Sequence, residues 1–301
     1  MKAISAIIPS YNSHRTVMRT IDSLLSQPAT YVPEIIVVDS SDDAKTPDLL
    51  AGCRSERIRV IRLDRKTMPA IGRNIGAAAA TREVLAFIDS DAYAAEDWAE
   101  RILASVESGC HVGGGSILLP PEQTSHPIAL AQYFLQFNEF TGSSRKRIVD
   151  FAPSCNLFCE KAFFERVGGF PEIRASEDVL FGFKANRDAP FFFEPAIRVF
   201  HIFLLDRERL LSNQRLLGAY VLHYRRRQFR RWYYRGVWPA FFLPGVLLVK
   251  FARISARILG GGPLWMKRSF FISLPYFLLG FMAWAEGFWQ AVFEAEGGSV
   301  A

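Results

Sequence analysis

Apolar and polar positions fall into blocks along the first ninety residues, and the blocks predict strands and helices in alternation. Residues 5–10 (SAIIPS) form a short, continuously apolar run, as in a strand buried on both faces. Ser13 is a candidate cap for a helix that carries Val17, Ile21, Leu24 and Leu25 on one face and ends near Pro28. Residues 34–39 (EIIVVD) are a second buried strand, followed by an acidic, Ser-rich loop with a short helix. Residues 58–63 alternate apolar side chains with arginine, as a more exposed strand does. Residues 70–80 predict an Ala/Gly-rich helix suited to close packing, and 84–88 (VLAFI) another buried strand, ending in Asp89-Ser90-Asp91. Strands alternating with helices imply βαβ units and a mainly parallel α/β sheet. Ligands of such sheets sit at the carboxyl ends of the strands, where Asp39 and Asp89 both lie.

Beyond residue 91 the pattern loosens. Helices are expected at 97–108, 127–140 (amphipathic), up to Val167, and at 176–186. Strands are expected at 111–119, near 152–158, and at 191–202, with a polar loop at 143–150 and a Gly168-Gly169-Phe170-Pro171 turn. Residues 207–234 predict one long basic helix. Six arginines fall between His223 and Arg235, interleaved with Phe229, Trp232, Tyr233 and Tyr234. Two uncharged runs follow, 237–249 and 269–285. Each is shorter than the roughly 20 residues that cross a bilayer, so a shallow hairpin or a pair of helices in the interface is expected.

The chain has 301 residues, half of them apolar and 22% charged, which excludes a disordered protein. The net charge of +6 is unevenly spread: residues 1–200 sum to −3 and residues 201–301 to +9. The four cysteines are irregularly spaced, and Cys155 and Cys159 have no histidine near them in sequence, so they read as core thiols in a reducing, cytoplasmic setting rather than a zinc site. The first apolar run is too short for a signal peptide, and none is expected.

Two carboxylates one residue apart at a strand end, as in Asp89-Ser90-Asp91, can converge on one hard divalent cation, magnesium or manganese. A plain Asp turn is the alternative. Asp39, ending the neighbouring strand, favours a shared site. Glu177-Asp178 opens a helix, either as dipole partners or as a general base near the metal. His201 ends an apolar strand, as a structural residue or as a metal or phosphate contact.

Ile8-Pro9-Ser10-Tyr11-Asn12, Val37-Val38-Asp39, Gly72-Arg73-Asn74-Ile75-Gly76, Phe87-Ile88-Asp89-Ser90-Asp91, Gly168-Gly169-Phe170 and Glu177-Asp178 occur in that order. The ordered set resembles the family 2 glycosyltransferases, inverting enzymes of the GT-A fold, over about residues 3–205. The resemblance implies a nucleotide-diphospho-sugar donor and a divalent cation. It gives Pro9, Tyr11 and Asn12 a place lining the nucleotide, and Asp39 a hydrogen bond to the base, typically uracil. It puts Arg73 near the nucleotide and diphosphate, and Asn156, with Ser154 and Cys155, near donor sugar and acceptor. Asp91 is then the direct metal ligand, with Asp89 nearer the ribose and His201 near metal or diphosphate. Asp178 is the catalytic base, with Glu177 beside it. Ser-Ser-Asp-Asp stands where Asp-Gly-Ser is common after the base-binding strand. The Gln-x-x-Arg-Trp motif of processive synthases is absent, so a single-sugar transfer is expected.

The basic-aromatic stretch borders apolar runs, which favours an anionic membrane over nucleic acid as its partner. The reading is therefore a catalytic domain over 1–205 and a membrane-associating helical tail over 206–301. The expected enzyme works on the cytoplasmic face of the inner membrane and transfers one sugar to a saccharide or lipid-linked acceptor. A polyprenyl-phosphate sugar synthase and a non-catalytic membrane protein on the same scaffold are the alternatives.

Overall fold

The protein is described from a computed structural model over residues 2–229 and 231–294. The first half contains β1 (Ile4–Ser10), α1 (Val17–Leu25), β2 (Glu34–Asp39), α2 (Lys45–Ala51), β3 (Ile58–Arg62), α3 (Pro69–Ala79), β4 (Val84–Ile88), β5 (Ala92–Ala94), α4 (Trp98–Glu107), β6 (Val112–Leu118) and α5 (Pro127–Phe137). The rest contains β7 (Arg147–Val149), β8 (Asn156–Glu160), α6 (Lys161–Val167), α7 (Glu177–Ala185), β9 (Phe191–His201), α8 (Arg207–Gln228), α9 (Trp238–Ser255) and α10 (Leu264–Phe293). They form two compact units, Met1–Pro120 with Phe140–Ile202, and Pro121–Glu139 with Phe203–Ala301.

The first unit is built on one mixed sheet in the order β3-β2-β1-β4-β8-β6-β9-β5, with β7 paired to β9. Its β3-β2-β1-β4 half is parallel, as the βαβ pattern requires. Beyond β4 the sheet is mixed rather than parallel, because β8 runs antiparallel to both β4 and β6 while β6 and β9 pair in parallel. Pairing Ile88 with Asn156 places the turn before β8 beside Asp89-Ser90-Asp91. The sheet's central strands are buried on both faces, which is why they read as unbroken apolar runs. Two strands escaped the sequence reading. β5 and β7 are three residues each, too short to show a period, and β7 lies in the expected polar loop. Ser13 does not cap α1 with its hydroxyl. That group pairs with the Ser10 hydroxyl at 2.7 Å, while the Ser13 carbonyl accepts the amides of Thr16 and Val17.

Phe87, Phe164, Phe170 and Phe181 pack with ring centroids 4.9–5.4 Å apart. This cluster seats the Gly-Gly-Phe turn and α7 against β4, fixing where the N-terminus of α7 emerges.

In the second unit α5 is not amphipathic: nine of its eleven residues are buried. A helix apolar on every side is a buried one, and α5 packs against α10. α8 and α10 meet closely where a Cβ on Gly287 would lie 1.9 Å from the Arg215 carbonyl oxygen. Asp206 caps α8 by accepting the Arg209 amide at 2.7 Å. α8 stops at Gln228 rather than continuing to 234. The Arg226 guanidinium instead donates to the Tyr234, Ala291 and Val292 carbonyls, tying the bend after α8 to the end of α10. The second apolar run extends in both directions into a helix of 30 residues, long and apolar enough to cross a membrane. Glu286, the acid that follows the uncharged run, accepts from Arg215 at 2.7 Å.

Candidate active site

At the carboxyl ends of β1, β2 and β4 lies an open cavity of about 190 Å³. Pro9, Ser10 and Tyr11 line one side, Thr67-Met68-Pro69, Gly72 and Arg73 another, and Asp89-Ser90-Asp91 a third. Close packing of α3 on β1 sets the position of Arg73. A Cβ on Gly76 would lie 2.5 Å from the Ile7 side chain, so any larger residue would push the helix off the sheet.

Asp89, Asp91 and His201 offer ligand atoms that all lie within 4.8 Å of one another. The group depends on β5, which turns back immediately after Asp91 and pairs antiparallel with the end of β9. Ala92 is thereby in register with His201, and the Asp91 carbonyl accepts the Ile202 amide at 2.7 Å. His201 Nε2 stands 3.6 Å from Asp91 Oδ1. Burial raises the Asp91 carboxyl above its ordinary range; His201 pulls it back and Asp89 pushes it further up. Two carboxylates and an imidazole suit manganese or magnesium in donor type, so these residues fit a divalent cation. Cys155 lies close by, but burial and then the two aspartates push its thiol well up, which leaves it protonated and a poor ligand. All four cysteines are free thiols.

Arg73 is 3% exposed and joins the two acidic pairs. It donates to Asp89 Oδ1 at 2.5 Å and to Glu177 Oε1 at 2.7 Å. Although burial opposes the charge, these acids hold the guanidinium firmly protonated. The next residue, Asn74, donates to the Phe170 carbonyl and accepts the Phe170 amide, at 2.8 and 3.0 Å. One segment of α3 thus fixes both the acids and the turn that precedes them. Ser176, just before Glu177, has a φ of +65°. A non-glycine residue held in the left-handed region is strained, and such residues concentrate at functional sites.

Asp178 differs from Glu177 in having no cation in direct contact among the described residues. Its oxygens accept the Val179 amide at 2.8 Å and the Ser154 amide at 3.4 Å. Burial, and then the Glu177 charge, raise its carboxyl to about 7, against the lowering pull of those amides and Arg73. A carboxylate at that value suits proton transfer near neutrality.

The structure separates the residues expected around the nucleotide. Pro9 and Tyr11 line the cavity, with Lys66 Nζ 4.3 Å from the Tyr11 ring centre. Asn12 lies outside the lining. Its side chain accepts the amides of Asp42 and Asp43 and donates to the Asp42 carboxylate, so it shapes the acidic loop. Asp39 is fully buried and bound by Ser10, Ser41 and Arg62, the last across the register between β2 and β3. Asn156 is likewise saturated. It accepts the Trp98 indole N–H and donates to the Ser116 and Ile197 carbonyls, which makes it a brace between strands rather than a cavity residue. The sequence reading missed Thr67, Met68 and Arg62. The start of α3 at Pro69 was the signal for the first two, since ligands of such sheets sit where the chain passes from the carboxyl end of a strand into the next helix.

Strands ending in acids, an Asp-Asp-His group and a parallel half-sheet agree with the expected glycosyltransferase of the GT-A fold. The profile of "Glycosyl transferase family 2" matches residues 5–168, and the chain belongs to that family. The match ends before Glu177, Asp178 and His201. Over 105 residues the chain is 35% identical to the succinoglycan biosynthesis protein ExoO of Rhizobium meliloti (strain 1021), covering 35% of this chain and 30% of that protein. Over 93 residues it is 34% identical to the UDP-Glc:alpha-D-GlcNAc-diphosphoundecaprenol beta-1,3-glucosyltransferase WfaP of Escherichia coli, covering 31% of this chain and 37% of the other. The matched stretches thus span about a third of these relatives. The fold is similar to that of the mannosyltransferase PcManGT from Pyrobaculum calidifontis in complex with GDP-Man and Mn²⁺. The TM-score is 0.62 at 16% identity, over 95% of this chain and 87% of that one.

Proposed function

We propose that the protein is an inverting glycosyltransferase that moves one sugar from a UDP-sugar to an acceptor hydroxyl, on a saccharide or lipid-linked acceptor. The observation that carries this reading is the linkage of Asp89 to the Glu177-Asp178 pair through Arg73. It joins a diphosphate-facing acid pair to a carboxyl suited to be a base. Asp178 takes the proton of the acceptor hydroxyl as that oxygen attacks the anomeric carbon. Glu177, held by Arg73, orients α7 and raises the Asp178 carboxyl. Displacement opposite the leaving group needs one base and no covalent nucleophile, so the configuration inverts. Asp89, Asp91 and His201 would hold the cation, manganese or magnesium, which when bound stabilises the charge that develops on the nucleoside diphosphate. Pro9 and Tyr11 flank the nucleotide, and Asp39 supports that wall from beneath through Ser10 and Ser41. The donor and acceptor that WfaP is named for support a UDP-sugar and a lipid-linked acceptor.

The second unit supports work at a membrane. Trp232, Phe241, Leu248, Phe271 and Met282 are each at least 60% exposed, an apolar display unusual for a soluble surface. The arginines between 225 and 235 suit the anionic, cytoplasmic leaflet.

A screen of nucleotide-sugars for thermal stabilisation with Mn²⁺, followed by transfer assays of the Asp178→Asn variant, tests the reading. Retained donor binding with transfer reduced at least about a hundredfold is expected for a hydroxyl acceptor. Near-normal transfer by Asp178→Asn would instead indicate a phosphate acceptor, which is already ionised. Absence of any transfer by the wild type would indicate a binding protein.

A further inference from the structure

The second unit contains an open cavity of about 540 Å³ that the proposed transfer chemistry does not use. Arg225 of α8, Phe242 to Arg253 of α9, Arg257 of the following π-helical turn and Trp284 of α10 surround it. Along α9 and that turn, the lining positions 242, 246, 249, 250, 253 and 257 recur at helical spacing on one stripe. The stripe is apolar at its start and cationic at its end. Among the described residues no carboxylate lines the cavity. Glu139 and Asn138 engage Arg257 at 2.7 and 2.8 Å. Arg225, Lys250 and Arg253 have no carboxylate partner among the described residues. Lys250 Nζ instead lies 4.3 Å from the centre of the Trp284 ring. Burial, and then the Arg225 charge, lower the Lys250 ammonium to about 8. Cations gathered without a counter-charge repel one another, and an anion between them removes that cost.

We propose that this cavity binds the phosphate of a single anionic lipid, held by Arg225, Lys250 and Arg253, with the hydrocarbon chain along Phe242, Val246 and Val249. The guanidinium forks supply paired donors to phosphate oxygens and the ammonium a point charge. Phe242 and Val249 are about half exposed, which leaves the apolar end open to a chain entering from outside. The proposal rests on the membrane reading above only for where the lipid comes from; it does not depend on the transfer reaction.

The test is calorimetric titration of the full-length protein with dihexanoyl phosphatidylglycerol below its micellar concentration. Dihexanoyl phosphatidylcholine, inorganic phosphate and farnesyl diphosphate form the other arms. One saturable site for the glycerol lipid is expected, at least about tenfold tighter than for phosphatidylcholine or phosphate. Arg225→Gln/Arg253→Gln should lose about tenfold or more, and Phe242→Ala/Val249→Ala should lose affinity for the lipid alone. Competition by farnesyl diphosphate also supports the site, and tighter binding of it makes an isoprenoid diphosphate the preferred source. Equal affinity for inorganic phosphate, unchanged binding by both double variants, or no saturable binding overturns the proposal. If the arginine pair fails to fold, Lys250→Met read in the same titration decides, a severalfold loss being expected and none overturning it. Sugar transfer is not the readout, so a failed transfer assay and a failed titration remain distinguishable.

Discussion

Arg73 and Glu177 are 104 residues apart in sequence and 2.7 Å apart in space. The same guanidinium holds Asp89, so the strand that carries the candidate metal ligands and the helix that carries the candidate base are fixed by one side chain. An error in either position would be transmitted to the other.

Replacing Arg73 by methionine should cost about 3 kcal/mol of stability, because it leaves the buried Glu177 carboxylate, and the partly buried Asp89, without their cation. The midpoint of urea unfolding reads this directly. Since Arg73 also holds the Asp178 carboxyl down, the acidic limb of the pH–kcat/KM profile should move to higher pH. Arg73→Lys keeps the charge and should restore part of the stability, but not the paired geometry.

The Asp178 carboxyl, at about 7 when folded, predicts opposite pH trends in activity and stability. As a base it must be ionised, so kcat/KM should climb about tenfold per pH unit below 7 and level off above it. Between about pH 4, where an unfolded Asp ionises, and 7, the folded state holds a proton that the unfolded state has released. Stability from this group is therefore complete below about 4 and is lost as pH rises through 7. Asp178→Asn should flatten that fall in chemical denaturation curves collected across pH.

Mn²⁺ should raise the melting temperature, since an ion that binds only the folded chain stabilises it by about 2.7 kcal/mol at a hundred times its Kd. Asp91→Asn and His201→Ala should each abolish the shift while melting as cooperatively as the wild type without metal. A chelator should remove transfer activity, and added Mn²⁺ should restore it.

Gly287→Ala should destabilise the protein although alanine is the better helix former by about 1 kcal/mol. The added methyl would fall on the Arg215 carbonyl, and overpacking of this kind costs about 1–3 kcal/mol. Hydrogen exchange should show lower protection across α8 and α10.

The parallel half of the sheet was legible because each strand is an unbroken apolar run, and β4 ends where the acids begin. The Arg62 contact to Asp39 was latent in the same pattern, since parallel strands in register bring Asp39 opposite Arg62. The His201 placement could not be read from spacing. It depends on a three-residue strand and an antiparallel register that join Ala92 to His201, 109 residues away. Nor could spacing show that Asn156 is consumed by Trp98, Ser116 and Ile197, because three distant elements supply those partners. α5 misled by its context: it lies within the catalytic stretch of sequence yet is buried in the other unit.

That location of α5 has a genetic consequence. The second unit is encoded in two pieces, so no single stop codon deletes it cleanly. A gene ended after residue 205 would still translate α5 without α10 to cover it, and the product should precipitate from solution for that reason alone. Loss of activity in such a product would report insolubility, not a missing membrane anchor. Charge reversals and polar replacements on the exposed face of the intact polypeptide are the safer genetics for this enzyme.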